Sequence, residues 1–155
     1  MTSNFQLEEY ARQLNIPNFK VIMNDDMLSE PKVSNAYYIV NLMDNGTPGS
    51  HWVALIIKND VPIYWDSYGC PYSIQVHEFV SQYKVKCGFN TAIIQDLYST
   101  HCGLYCLALI AYIHANPNKN LYQLVNDYTN SFSSKPKSND KIILNYIKQL
   151  KIKNI

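Results

Sequence analysis

A nearly uninterrupted apolar run limits the fold of this chain more than any other feature. It covers residues 103–113 and contains no charged side chain. A helix that crosses a bilayer needs roughly 20 apolar residues, so this run is too short to span a membrane. Asn116-Pro117 follows it and is a typical end of a helix. The run therefore predicts a buried helix over residues 102–114, which the rest of the chain must cover.

The composition indicates one folded domain. The chain has 155 residues, of which 47% are hydrophobic, and we expect a single domain over residues 1–155. Charged residues make up 16% and the formal net charge is +1, so no nucleic-acid surface is evident. A solvated helix face is favoured over a basic binding face for the late lysines, which are Lys135, Lys137, Lys141, Lys148, Lys151 and Lys153.

The N-terminal segment and the cysteines indicate an intracellular protein. Residues 1–14 are polar and contain no apolar signal core, so we expect no secretion. The cysteines Cys70, Cys87, Cys102 and Cys106 are then expected to be reduced thiols. For Cys87, a buried or inert thiol is favoured over a regulatory one. We also expect a monomer.

Hydrophobic periodicity predicts the elements around the buried helix. Helices are predicted over residues 5–14, with Ser3 or Asn4 as the cap, and over 73–83, 121–128 and 141–150. Strands are predicted over 37–43, 51–58, 61–66 and 91–95, with Asn59-Asp60 as a two-residue hairpin. Residues 15–35 are predicted to be mostly extended or loop, 44–50 a turn, and 131–139 a polar link. The fold class is α+β, with a small, mostly antiparallel sheet packed against the buried helix.

Cys102 is the first candidate for chemistry. It lies where a polar turn ends and the apolar helix begins, so the helix dipole and the unpaired N–H groups favour a thiolate there. Its own N–H is placed to stabilise an oxyanion. From this position alone, a small core residue that starts a buried helix is the simpler interpretation.

His51 and Asp66 are predicted to meet at one end of a hairpin. His51 opens one strand, Asp66 ends its antiparallel neighbour, and the two strands have similar lengths on either side of the turn. A carboxylate at that place can orient an imidazole and select its tautomer. Taken singly, His51 is typical of a surface residue and Asp66 of a turn residue. Gln95, predicted at the end of a strand, could donate to an oxyanion or be an ordinary amide.

Taken together, these segments resemble the adenain and ubiquitin-like-protein protease group of cysteine peptidases. The resemblance covers roughly residues 37–110 and rests on His51-Trp52, Asp66 after the next strand, Gln95, and Cys102-Gly103 at a helix start. The chain order His, Asp, Cys differs from that of papain. Gln95 lies seven positions before Cys102, as in the adenain branch, whereas the third group is Asp, as in the SUMO proteases.

The resemblance implies a cysteine endopeptidase with an adenain-like fold. It implies His51 as the base, Asp66 as the group that orients it, Cys102 as the nucleophile, and the Gln95 side chain with the Cys102 N–H as the oxyanion hole. Trp52 resembles the residue that walls a narrow substrate channel, so we expect cleavage of polypeptides after glycine or other small residues. The short chain favours a compact viral protease that processes structural precursors. The adenovirus relative uses a peptide and DNA as activators, for which this sequence gives no sign.

Three alternatives remain open at this stage. The first is a protease for ubiquitin or SUMO conjugates, from a virus or a pathogen. The second is a catalytically inactive relative that only binds, although each catalytic position carries a competent residue. The third is a metal site formed by His101, Cys102, Cys106 and His114, but their positions along one helix keep these four from converging. We therefore predict no metal and no other cofactor.

Overall fold

The computed structural model describes residues 2–43 and 51–155, so the predicted turn at 44–50 lies outside the described residues. The helices are α1 (Asn4–Gln13), α2 (Ile74–Val80), α3 (Cys102–Ala115), α4 (Leu121–Asn130) and α5 (Asn139–Gln149). The strands are β1 (Phe19–Met23), β2 (Ala36–Asn41), β3 (Trp52–Lys58), β4 (Val61–Trp65) and β5 (Gly88–Phe89). Two short 3₁₀ helices cover Asn24–Ser29 and Pro136–Ser138.

Within these residues the strands form one sheet in the order β1-β2-β3-β4-β5. The central pairs β2–β3 and β3–β4 are antiparallel, whereas β1 and β5 lie parallel to their neighbours at the two edges. Asn59 and Asp60 connect β3 to β4 with φ angles of 50° and 64°. Positive φ at both central residues is what a tight two-residue hairpin requires, which confirms the predicted turn. The mixed architecture confirms the α+β class.

Both faces of the sheet are covered by helices. Alternate residues of β3 face opposite sides: Trp52, Ala54 and Ile56 pack in the core formed with α1, α3, α4 and α5. Val53, Leu55 and Ile57 pack on the other side, in a smaller core that includes α2. A strand buried on both faces becomes apolar at nearly every position. This explains why the β3 sequence is a continuous apolar run rather than an alternating one.

Helix α3 lies at the centre of the larger core, as its sequence predicts. Its residues from Cys102 to Ala111 are all buried, and it packs against β3, α1, α4 and α5. Among the helices in residues 2–43 and 51–155, none is both long and apolar enough to cross a membrane. Helix α1 is also confirmed, with a reciprocal cap in which Ser3 Oγ accepts the N–H of Gln6 and the Gln6 side chain accepts the N–H of Ser3.

The prediction for residues 15–35 missed a strand. β1 lies in this segment and pairs along its whole length with β2, and the 3₁₀ helix Asn24–Ser29 follows it. The run Phe19–Met23 is short and flanked by turn-forming residues, so its sequence alone is a weak strand signal. Pairing with β2 determines its conformation, and that contact is not visible in a local pattern.

The predicted strand over residues 91–95 is wrong. The strand at the β4 edge of the sheet is β5, which ends before this segment, and the residues that lead to Gln95 are irregular. Their main chain bonds to other groups instead: the N–H groups of Ile94 and Gln95 both donate to the carbonyl of Ser67, at 2.8 and 3.0 Å. The carbonyl of Ile94 accepts from the side chain of Asn139, at 2.8 Å. These bonds replace a sheet ladder, so no strand forms.

Candidate active site

His51 and Asp66 meet at one end of the β3–β4 hairpin. In the antiparallel register Ala54 pairs with Trp65, so His51 lies just before β3 and Asp66 just after β4, at the same end of the sheet. Nε2 of His51 lies 2.7 Å from Oδ1 of Asp66, a hydrogen-bonding distance. Because Asp66 takes Nε2, Nδ1 is the ring nitrogen left to act as a base.

Asp66 is held rigidly, because its carboxylate is 1% exposed and its main chain is bonded on both sides. The N–H of Asp66 donates to Oδ1 of Asn90 at 2.9 Å, and Nδ2 of Asn90 donates to the carbonyl of Asp66 at 2.6 Å. Oδ1 of Asp66 also accepts the N–H of Tyr68 at 2.8 Å. The Tyr68 ring lies against the His51 ring, with centroids 4.6 Å apart. Asn90 and Tyr68 therefore fix the positions of the carboxylate and the imidazole.

A tight turn follows Asp66, and Gly69 closes it. The N–H of Gly69 donates to the carbonyl of Asp66 at 2.8 Å, and Gly69 has a φ of +69°. A side chain there would meet the main-chain oxygen of Thr91 and would lie 2.8 Å from the oxygen of Ala92. Only glycine fits both this backbone conformation and this close approach.

Cys102 is the first residue of α3, as its sequence predicts, and is 3% exposed. Its N–H is among the first four of the helix, which have no acceptor within the helix itself. Gly103 follows it in close contact with other parts of the core, since a side chain there would lie 3.2 Å from Leu7 Cδ1. The tip of the helix is thus packed tightly between α1 and the start of β3.

The groups around the His51 ring raise its pKa. Burial alone would lower this pKa, but hydrogen bonding to Asp66 and to Cys102 and attraction to their charges raise it to about 9. An imidazole that is attracted to a carboxylate and a thiolate favours its protonated form. His51 therefore favours its imidazolium form near neutral pH.

Gln95 is fully enclosed beside the loop that leads to Cys102. Its Oε1 accepts from Ser67 Oγ at 2.5 Å, and its Nε2 donates to the carbonyl and to Oγ of Ser99, both at 3.1 Å. The amide is 1% exposed and has a fixed orientation. Its predicted role as an oxyanion donor stays a prediction, because Ser99 is the partner that its N–H groups have here.

Trp52 lies beside the site with its ring mostly buried, at 5% exposure. Its Cδ1 atom would be 3.7 Å from a side chain at Gly103, so the indole lies against the start of α3. Within the described residues, its Nε1 has no hydrogen-bond partner. Trp52 also lines a cleft of about 340 Å³ that includes Asn4, Ile22 and Asn41.

The four residues of the alternative metal site are not grouped as metal ligands. Cys106 is buried one turn below Cys102, and its thiol donates to the carbonyl of Trp52 at 3.4 Å. Complete burial raises the pKa of Cys106 well above its usual value. Across residues 2–43 and 51–155, no three side chains of His, Cys, Asp or Glu are grouped so that they could hold a metal ion.

Sequence reasoning missed several residues that support this site. Asn90 and Ser99 form hydrogen bonds with Asp66 and Gln95, respectively, but belong to no motif. Ser67 directly follows Asp66, and its bond to Gln95 was not predicted. Tyr68 lies two residues after Asp66, yet its ring contact with His51 was not predicted. The bond between Ser99 and Asp140 joins positions far apart in the chain, so no local signal could have revealed it.

Comparison with known proteins identifies the fold. No protein-family model matches the chain, and no similar sequence was found among curated proteins. Among solved structures, the crystal structure of the ASFV pS273R protease aligns with a TM-score of 0.57 and 19% identity, over 82% of this chain and 63% of that one. A second structure of the same protease gives a TM-score of 0.55 at 14% identity, over 83% and 65%.

Two further structures are similar. AvrA delL154, determined with IP6 and CoA, aligns with a TM-score of 0.54 at 19% identity, over 82% of this chain and 53% of that one. The SUMO protease Ulp1 aligns with a TM-score of 0.46 at 16% identity, over 81% and 71%. The chain thus spans somewhat less than two thirds of the length of the ASFV protease. The ASFV protease and AvrA confirm the fold that the resemblance to the adenain and ubiquitin-like-protein protease group implies.

Proposed function

We propose that this protein is a cysteine endopeptidase with Cys102 as nucleophile, His51 as base and Asp66 as the group that orients the base. The observation that carries the proposal is the arrangement around His51. One ring nitrogen is bonded to a buried carboxylate at 2.7 Å, and the Cys102 side chain contributes to raising the pKa of the ring. The fold shared with the ASFV pS273R protease supports the same conclusion.

The reaction follows from these positions. The Cys102 thiolate attacks the peptide carbonyl carbon, and the carbonyl electron pair moves to oxygen. The N–H of Cys102 at the helix start stabilises the oxyanion. The Gln95 amide is the second donor once the N–H that is bonded to the Ser99 carbonyl turns to the substrate oxygen, while the bond to Ser99 Oγ stays. As the C–N bond breaks, the His51 imidazolium gives its proton to the leaving amine. His51 then takes a proton from water, which hydrolyses the thioester and releases the thiolate.

We propose a polypeptide substrate with glycine or another small residue before the scissile bond. The support is the enclosure of the site: Cys102 is 3% exposed and Trp52 lies tightly against the helix that carries it. A chain that reaches this sulfur has little room for a side chain at that position. A structural precursor of a virus is the favoured natural substrate, and a ubiquitin-like conjugate is the alternative.

The test is labelling and turnover by the full chain. Wild-type protein should hydrolyse fluorogenic peptides with glycine before the leaving group, and a thiol-reactive peptide probe should label Cys102. Cys102→Ala should fold normally but lose both activities, whereas Cys70→Ala, which removes an exposed thiol, should keep them. An alanine variant at position 102 with full activity would exclude the assignment.

Three further assays distinguish between the candidate substrates. Ubiquitin- and SUMO-linked reporters test the conjugate alternative, and a peptide library tests the demand for a small residue. Acyl-CoA is included because the AvrA structure was determined with CoA. A folded wild-type protein that neither reacts with the probe nor turns over any reporter would instead support the inactive, binding-only relative.

A further inference from the structure

Ser99 joins the loop before Cys102 to the far end of the chain. Its Oγ accepts from Gln95 Nε2 at 3.1 Å and from the N–H of His101 at 3.2 Å. The same hydroxyl donates to Oδ1 of Asp140 at 2.6 Å. Ser99 is therefore the shared hydrogen-bond partner of the amide in the site, the residue before the nucleophile, and a carboxylate on α5.

Asp140 also contacts the helix that carries the nucleophile. Its Oδ1 accepts the hydroxyl of Tyr105 at 2.9 Å, and Tyr105 is a fully buried residue one turn after Cys102 on α3. One carboxylate oxygen thus bonds to both the loop and the helix on either side of Cys102. A change at Asp140 should move these two elements relative to each other.

The neighbouring residue, Asn139, holds the other end of the same loop. Its side chain is fully buried and donates to the carbonyl of Ile94, directly before Gln95, at 2.8 Å. It also bonds to both main-chain groups of Ser133. The first turn of α5 thereby fixes both ends of the segment that runs from Gln95 to Cys102.

The charge of Asp140 sets the direction of the whole chain of hydrogen bonds. An ionised carboxylate only accepts, so the Ser99 hydroxyl must donate to it and can only accept from Gln95 and His101. At the other edge of the amide, Ser67 donates to Gln95 Oε1. The two contacts leave one orientation for the Gln95 amide, with its N–H groups directed to the nucleophile loop. Hydrogen bonds to charged groups are the stronger ones, so the Ser99 hydroxyl that accepts from the amide is itself firmly held by Asp140.

We propose that Ser99 and Asp140 are positioning residues for the oxyanion hole. They fix the Gln95 amide and the start of α3, from which the Cys102 N–H projects, in one mutual arrangement. Neither residue touches the substrate. This inference rests on the proposed peptidase function, and it adds Asp140, which lies outside the segment 37–110 that resembles known proteases.

The test uses two reactions that differ in their need for an oxyanion hole. Hydrolysis of a fluorogenic glycine peptide forms an oxyanion, whereas alkylation of Cys102 by iodoacetamide forms an S–C bond and expels iodide without one. Asp140→Ala and Ser99→Ala should each lower kcat roughly 10- to 100-fold, the loss that corresponds to a hydrogen bond to a charged group. KM and the rate and pH profile of alkylation should stay within about twofold of wild type.

Conservative variants separate positioning from folding. Ser99→Thr keeps the hydroxyl and should recover most of the lost kcat, whereas Asp140→Asn keeps an acceptor oxygen but loses the charge that sets the bond direction, so it should recover only part of it. Ser138→Ala, next to the pair but exposed and without a capping bond, is the matched control and should have wild-type kcat. Thermal unfolding of each variant verifies that the compared proteins are folded.

A double-mutant cycle decides the proposal. If Asp140 acts through Gln95, the double variant Gln95→Ala with Asp140→Ala should be no slower than Gln95→Ala alone. Fully additive losses, or an alkylation rate that falls as much as kcat, would overturn the positioning role while leaving the peptidase function intact. Absence of peptide turnover in wild type, with Cys102 unreactive, would instead overturn the proposed function and this inference with it.

Discussion

Nε2 of His51 lies 2.7 Å from Oδ1 of Asp66, and that same oxygen also accepts the N–H of Tyr68 at 2.8 Å. The carboxylate is thus bound by its own turn before it meets the imidazole, so it needs no rearrangement to orient the ring. Most of the expected behaviour of the site follows from this contact.

The first prediction concerns stability and pH. The pKa of His51 in the folded protein, about 9, lies above the ordinary value of 6.5. A histidine whose pKa is raised by folding contributes its full stabilisation below pH 6.5, where it is protonated in both states. This contribution is lost as the pH rises through 9. At about 1.4 kcal/mol per pKa unit, it amounts to roughly 3 kcal/mol.

The measurement is urea unfolding of wild type and His51→Gln between pH 6 and 10 under reducing conditions. The difference in the free energy of unfolding between the two proteins should become smaller as the pH rises across that range. Cys102→Ala removes one of the groups that raise the His51 pKa, so its loss of stability should begin at lower pH. Parallel curves for wild type and His51→Gln would contradict the elevated pKa.

The second prediction is that Asp66→Asn loses turnover by about four orders of magnitude, provided that the imidazole is the base. An amide at position 66 can still contact His51, but it removes the charge that favours the imidazolium and allows the wrong tautomer. Peptide hydrolysis measures the rate, and a histidine NMR titration should show a lowered His51 pKa. Near-normal turnover with a lowered pKa would show that the carboxylate charge is dispensable.

The third prediction concerns Asn90, which sequence analysis did not identify. Asn90→Ala removes two hydrogen bonds to the main chain of Asp66 and leaves its N–H and carbonyl without these partners. The free energy of unfolding should fall by roughly 1–3 kcal/mol, and kcat should fall because the carboxylate is less well placed. Asn126→Ala, an exposed asparagine on α4, is the matched control and should change neither quantity.

The fourth prediction compares two glycines. Gly69→Ala places a side chain at a φ of +69° and against the main-chain oxygens of Thr91 and Ala92, so it should destabilise the protein by at least roughly 2 kcal/mol. Gly88→Ala places its side chain 3.4 Å from Tyr122 Cε1, an ordinary contact, and should cost much less. Chemical denaturation of both variants measures the difference; equal stabilities would contradict the backbone constraint at Gly69.

Local patterns were sufficient for the elements with strong signals. The apolar run predicted α3 and placed Cys102 at its start, and the hairpin at Asn59-Asp60 predicted that His51 and Asp66 share one end of the sheet. These features depend on residues close in sequence, where helix period, turn chemistry and strand length act directly. The same features carried the resemblance to the protease group.

Secondary-structure elements with weak sequence signals and long-range polar contacts could not be predicted from local patterns. β1 and the irregular course of residues 91–95 are determined by partners elsewhere, namely β2 for the strand and Ser67 and Asn139 for the irregular segment. A side-chain hydrogen bond has no sequence period, so Asn90 beside Asp66 gives no local sign of its role.

By itself, then, the sequence determined the buried helix, the hairpin and the chain order of His51, Asp66 and Cys102, because burial period and turn conformation are local properties. Tertiary structure alone decided how those side chains are held. Asn90 bonds to Asp66 and Asp140 bonds to Ser99 because the folded chain brings distant segments together. Buried polar groups must find partners wherever the packing places them, and that choice belongs to the whole fold.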